Sequence, residues 1–252
     1  NTDWPGNNVK VWRKRTEKIE PDAPPGHDGR WRWLLFDTDF GFGLYSIHST
    51  VSHRTLKFAT TPDGEPWPNP DWSTVLLRSL LTNEEFKTKF IAKFVDLLNS
   101  RFHPDYVTKR IVEMRDVIAP VMQEHLDRWM INNGSMDAWK AQTSALISFG
   151  LDRVRFVTRD LRDYFGLERY KISLDASDPS GGTIRLNDMD IDINGSIWNG
   201  VIMEDIPVTL EAAPGDGYRF AGWETNVGFF EEPVVTLVPK TNLEIRAVFV
   251  RD

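Results

Sequence analysis

The sequence contains no cysteine, which excludes disulfides, thiolate metal sites and cysteine nucleophiles together. The compartment stays open, because a cysteine-free chain is compatible with the cytosol or with export. No run approaches the ~18 apolar residues of a membrane span, and the first residues do not read as a secretory leader. A basic stripe is also missing. There are 30 basic and 37 acidic residues, a net charge of −7, and the acidity is uneven: Tyr170 to Asp252 holds 6 basic and 14 acidic residues, leaving 24 and 23 for residues 1–169. Neither part has the electrostatic footprint of a nucleic-acid binder, so no nucleic acid is expected as a partner.

What is present centres on Phe36-Asp37-Thr38-Asp39-Phe40-Gly41-Phe42-Gly43. The preceding run Trp31 to Phe36 is apolar or aromatic apart from Arg32, which predicts a strand covered on both faces. Positions two apart on a strand share a face, so Asp37 and Asp39 are expected to point at one spot at its end. Two converging carboxylates shielded from water are costly unless a cation sits between them. Magnesium is the natural candidate, as a hard ion held by one or two carboxylates together with phosphate oxygens.

A second piece lies at Asp3-Trp4-Pro5-Gly6-Asn7-Asn8, where an aspartate precedes an asparagine by five positions. Protein kinases use that spacing in the catalytic loop, and their Asp-Phe-Gly aspartate, spelled here by Asp39-Phe40-Gly41, completes the metal site. Between the two elements, Val9 to Trp12 and Arg30 to Phe36 flank a Pro- and Gly-rich loop from Glu20 to Gly29, a predicted hairpin.

Four blocks together resemble the spore coat protein H (CotH) family of atypical kinases: Asp3 to Asn8 with Trp4-Pro5-Gly6-Asn7 between, Trp31 to Gly41, Leu81 to Ile91, and Leu161 to Leu167. The resemblance covers residues 1 to about 167. It implies a kinase-like protein, secreted, at the cell surface or in a spore coat, that transfers phosphate from ATP to serine residues of partner proteins. By the same resemblance Asp3 is the catalytic aspartate, Asn8 and Asp39 hold the nucleotide through the metal, and Asp37, Asp39 and Asn8 are the magnesium ligands. The sequence does not rank Asp37 against Asp39 as principal ligand. Only two residues precede Asp3, so the expectation is a fragment or processed product, lacking the N-lobe of the complete kinase and binding ATP poorly by itself.

The fold class expected is α+β: a kinase-like C-lobe of a β-hairpin and four to five helices over 1–169, then a small all-β domain over 170–252. Residues 44–72 are too Pro-dense for a helix and predict a long ordered loop, with His48 and His53 as ordinary loop histidines. Helices are predicted from Ser73 to about Leu81, from a capping box of Thr82 and Glu85, and from Pro104, with Pro120 kinking or dividing the last. A further pair is predicted from Ser135, broken at Gly150, with the second stopping at Gly166. Its charged residues, Arg153 and Asp160 among them, read as a solvated face.

After Tyr170, Val, Ile and Thr alternate with polar residues between turn signals, which resembles the small β-repeat modules of bacterial surface proteins. Tyr218, Phe220 and Trp223 are expected in its core, with an exposed platform for sugar as the alternative. Asp190-x-Asp192-x-Asn194-Gly195 opens like a calcium loop but has Val201 where a bidentate glutamate is needed, so it reads as a strand. The competing expectation for the whole is a non-enzymatic surface or adhesion protein whose β module binds glycan or wall polymer.

Overall fold

Short elements at the start of the chain give way to long helices and then to strands, and the computed structural model describes residues 2–34, 36–44 and 50–252. The architecture is α+β, with a hairpin and helices followed by an all-β region. The chain divides into two compact units, Asn1–Thr82 with Val117–Val157 and Asn83–Asp116 with Thr158–Asp252. His48 lies outside the described residues.

In the first unit β1 (Lys10–Trp12) and β2 (Arg32–Leu34) pair antiparallel with Val11 opposite Trp33. The loop joining them is organised by Asp28, which is almost fully buried. Arg32 grips its two oxygens at 2.6 and 2.8 Å, and the Arg30 amide donates to it at 3.1 Å. These bonds hold the Asp28 carboxyl well below the usual carboxylate range, the Arg32 pair contributing most. The expected covering of β2 on both faces is not found: Trp31 and Trp33 are 63 and 61 % exposed, and Leu34 and Phe36 are also open. Three-residue strands in a two-stranded ribbon have too little partner surface to bury such side chains.

The loop that follows carries a turn of helix, α1 (Thr55–Phe58), and a 3-10 turn (Asp71–Thr74) leading into α2 (Val75–Leu80). Ser73 does not cap this helix. Its Oγ donates to Asn69 Oδ1 and Pro70 O, because Asn69, buried and donating to Phe58 O at 2.6 Å, is the hub on which the proline-rich stretch closes. Arg153 reaches back to the same loop, donating to Val51 O, His53 O and Thr55 Oγ1 at 2.6 to 2.8 Å. It is a half-buried clamp rather than a solvated charge, and Asp160 is buried.

α3 spans Glu84–Asn99, capped by Asn83, whose side chain accepts from Phe86 N; the start lies one residue later than the Thr82 capping box predicts. α4 (Pro104–Trp129) and α5 (Met136–Phe165) each contribute to both units. Pro120 does not divide α4, and Gly150 does not break α5. A glycine costs a helix only about 1 kcal/mol, a price that burial along a thirty-residue helix outweighs. Gly166, at φ +67, does stop α5, with Leu167 N donating back to Arg162 O in a Schellman closure.

In the second unit two sheets face one another. The four-stranded sheet has the order β10-β7-β4-β5 and the five-stranded sheet β6-β3-β11-β8-β9. Their ranges are β3 Arg169–Ala176, β4 Gly182–Leu186, β5 Met189–Ile191, β6 Trp198–Met203, β7 Val208–Pro214, β8 Tyr218–Thr225, β9 Gly228–Phe230, β10 Val234–Leu237 and β11 Leu243–Arg251. Pairing is antiparallel except between β3 and β11. Alternate residues such as Ile172, Leu174, Ile184, Leu210 and Ile245 fill the space between the sheets. Trp223 is fully buried there with Tyr218 and Phe220 packed against it, so this aromatic set is core. Met189 and Ile191 face inward from β5, as the strand reading of that acidic stretch requires.

Candidate active site

The four residues singled out from sequence lie in the first unit and are drawn together. Asp3 and Asn8 sit half-buried in one loop, and Asn8 adopts φ +55, a left-handed conformation that asparagine tolerates better than most residues. This turn aims its side chain back along the loop: Asn8 Nδ2 donates to Asp3 Oδ2 at 2.9 Å, joined by Asn7 Nδ2 at 3.1 Å. The loop is seated on the proline-rich stretch, with Gly6 N donating to Pro68 O at 2.8 Å. A Cβ on Gly6 would stand 2.4 Å from Pro70 Cδ, so only glycine allows that approach.

Asp37 and Asp39 follow β2 but are not on it. Asp37 takes φ +50, and Gly41 N closes a turn onto Thr38 O at 3.0 Å. The two carboxylates therefore meet through a left-handed residue and a turn, not through strand alternation as the sequence pattern suggests. Phe42, also left-handed at φ +51, anchors the turn by packing its ring 5.6 Å from that of Phe149 on α5. Non-glycine residues held at positive φ carry strain, which persists where the surroundings over-determine it. Beside the turn, the Lys10 ammonium lies 3.7 Å from the centre of the Phe36 ring.

Electrostatics tie the two loops into one cluster. The Asp37 carboxyl is pushed above its ordinary value, first by a hydrogen bond shared with Asp39, then by desolvation and by the negative charges of Asp39 and Asp3; the Asn8 amide opposes the shift. Asp3, Asn8, Asp37 and Asp39 thus act on one another, although 29 to 36 positions separate the two pairs in the chain. The donor set fits a hard divalent cation, because carboxylates brought together favour a positive charge among them. In the structure the Asn8 amide nitrogen fills that role, so metal ligation by Asn8 requires its amide to turn over and present Oδ1. Among the described residues no group of three or more His, Cys, Asp and Glu is placed to hold a metal; this set has two paired carboxylates and an amide.

Sequence reasoning missed Asn7, Asn69 and Arg153. Asn7 shares the Asp3 acceptor, Asn69 shapes the seat beneath Gly6, and Arg153 secures the loop from Val51 to Thr55. A doubled asparagine beside a candidate catalytic aspartate is a usable signal for the first. Nothing local marks the other two, whose partners lie 11 and about 100 residues away.

Among models of protein families, the one described as CotH kinase protein matches residues 1–157, and the one described as Divergent InlB B-repeat domain matches residues 192–252. Comparison with curated proteins and with solved structures returns no match.

Proposed function

The chain belongs to the CotH kinase protein family, and from that premise we propose that it serves in transfer of the terminal phosphoryl group of ATP to serine hydroxyls of partner proteins. One observation supports this reading above the rest: Asp37 is gathered with Asp39, Asp3 and Asn8 from two distant loops. In such a reaction the bond from the terminal phosphorus to its bridging oxygen breaks as the serine oxygen bonds to phosphorus, and the hydroxyl proton must leave. Asp3 is the residue to orient that hydroxyl and take its proton. Its Oδ2 accepts from the Asn7 and Asn8 amides, and with Asn8 turned to a metal the Asn7 amide would still hold it for the incoming hydroxyl. Asp39 and Asp37, with Asn8, would hold magnesium, which when bound would neutralise charge on the phosphates. The phosphate-binding end of the site would thus be built by the turn Thr38 to Gly41, and the hydroxyl end by the loop Asp3 to Asn8.

The partners suited to this reading are serine-bearing coat or surface proteins, since the accompanying B-repeat domain is a surface-protein type. The same pairing supports a secreted, cell-surface or spore-coat setting. The test is magnesium-dependent transfer from labelled ATP by the full-length natural protein. Asp3→Ala should abolish turnover with the fold intact, and Asp39→Ala should also weaken nucleotide binding. A folded, magnesium-loaded protein that labels neither itself nor any protein overturns the proposal, as does an Asp3→Ala variant with wild-type turnover.

A further inference from the structure

The outer face of the five-stranded sheet carries a shallow groove of about 640 Å³, open to solvent along one side. Its floor is polar and ordered. Ser173 on β3 and Asn199 on β6 are cross-strand partners; Ser173 Oγ donates to Asn199 Oδ1 at 2.9 Å, and Asn199 Nδ2 donates to Ile197 O at 3.2 Å. One row along, Asp175 and Arg246 are register partners of the parallel pair and stand 3.8 Å apart. Asp175 Oδ1 also accepts from Ala176 N at 2.8 Å, while so loose an ion pair leaves Asp175 Oδ2 and the Arg246 guanidinium able to take further hydrogen bonds.

The far wall is rigid, because the Asn226 side chain donates to Asn242 O and accepts from Glu244 N, both at 2.9 Å. Two apolar surfaces flank the polar floor. Ile197 is 59 % exposed at one side. At the other, Phe229 is 55 % exposed and lies opposite Glu224, a groove residue. The Phe229 ring occupies the space a Cβ on Gly222 would need, 2.3 Å from its Cζ, so the glycine allows the ring to lie against the strand.

We propose that this groove is a binding site for a neutral saccharide. Three carboxylates, Asp175, Glu224 and Glu244, outnumber Lys171 and Arg246, which disfavours polyanions. An added peptide strand would need unpaired backbone, and in the centre of this face the backbone of β3 and β11 is already paired on both sides. Carboxylate, guanidinium, amide and hydroxyl groups side by side match a ring bearing several hydroxyls, each both donor and acceptor. The exposed Phe229 and Ile197 side chains match its C–H face. The inference concerns a different part of the chain from the phosphoryl-transfer site and stands independently of it.

The test is a proton–nitrogen NMR titration of the whole chain with an N-acetylglucosamine tetramer, cellotetraose and maltotetraose, each up to about 10 mM, a range that captures weak single-site binding. At least one should shift the amides of Ser173, Asn199 and Arg246. Asn199→Ala and Glu244→Gln, each checked for an unchanged melting temperature, should each weaken that binding about tenfold or more. Arg185→Ala, on the outer face of the other sheet, should leave it unchanged. The inference is overturned if none of the three sugars shifts those amides, if binding survives both groove variants, or if the groove takes only a heparin-like polyanion or a peptide.

Discussion

Asn99, the last residue of α3, pairs with Val201 of β6 as a neighbouring strand would: its Nδ2 donates to Val201 O at 2.7 Å and its Oδ1 accepts from Val201 N at 2.9 Å. β6 is an edge strand, and this one carboxamide satisfies both backbone groups on its open side at that point. A Cβ on Gly200 would stand 2.3 Å from Trp198 Cη2 and 3.2 Å from Asn99 Oδ1, so the glycine leaves room chiefly for the Trp198 ring beside this contact. Two further contacts join α3 to the turn between β4 and β5. Asn187 donates to the buried Asp96 at 2.8 Å, and Lys93 bridges to Asp188 at 3.0 Å. A helix from the CotH-matched residues is therefore built into the β-sandwich.

Asn99→Ala should lower stability by about 1–3 kcal/mol, the usual consequence of stranding a buried donor and acceptor. Urea denaturation measures the loss, and the Val201 amide should exchange with solvent faster in the variant. An unchanged midpoint with unchanged Val201 exchange would contradict the role given to this side chain.

Asp37→Asn should raise the melting temperature in metal-free buffer at neutral pH, because it removes one of the mutually repelling charges. Asparagine also tolerates the left-handed backbone at this position. Added magnesium should stabilise the wild type by a few degrees and the variant much less. Equal magnesium shifts in both proteins would show that Asp37 takes no part in holding the ion.

Asp28 sets a pH dependence in the opposite direction from a group whose pKa is raised. Its folded-state pKa is depressed, mainly by Arg32, so its contribution is present above the ordinary carboxylate range and is lost as pH falls through the folded value. Asp28→Asn should therefore speed amide exchange at Glu20 and Arg30 at neutral pH, relative to wild type. The difference should shrink only in strong acid, well below the ordinary carboxylate range, as pH falls toward the depressed folded value and the wild-type carboxylate is itself protonated.

Gly6→Ala places a methyl group 2.4 Å from Pro70 Cδ and 2.7 Å from Pro68 O. Relieving that overlap should cost about 1–3 kcal/mol and shift the loop bearing Asp3. Transfer activity should fall by more than the stability loss explains, read as turnover at a temperature where the variant remains folded. Full activity in a folded variant would mean the loop needs no seat on the proline-rich stretch.

A peptide of residues 192–252, the part matched as a B-repeat, should not fold by itself. It lacks β3, β4 and β5, and β3 and β4 are interior strands of the two sheets. Without them, Leu210 and Ile245 lose the neighbours that bury them. Circular dichroism showing a folded, cooperatively melting 192–252 peptide would refute this.

Much of this was legible in the sequence because it rests on local signals. Pro104 opens a helix, Gly166 closes one, and the alternation after Tyr170 gives strands, each through a few residues of backbone chemistry. The spacing of Asp3 and Asn8 and the run from Asp37 to Asp39 also pointed to residues that prove to interact. What local reading could not supply was burial. Trp31 to Phe36 has the composition of a core strand yet lies exposed, because composition does not reveal whether a partner surface covers a ribbon. Gly150 and Pro120 read as breakers, yet the packing of long helices prevails over the propensity of one residue. Arg153 and Asn69 were invisible as clamps, since their partners are set by tertiary contacts.

The parallel pairing of β3 with β11 bears on tension. Ile172 lies beside Leu243 and Ala176 beside Ala247, so the leading end of β3 and the trailing end of β11 stand at opposite ends of the pair. A pull applied at Arg169 and Arg251 therefore slides the two strands past each other, loading their slanted hydrogen bonds together instead of opening them one at a time. β11 is held on its other side by β8, along nearly its whole length. A domain threaded in this way resists stretching along the chain.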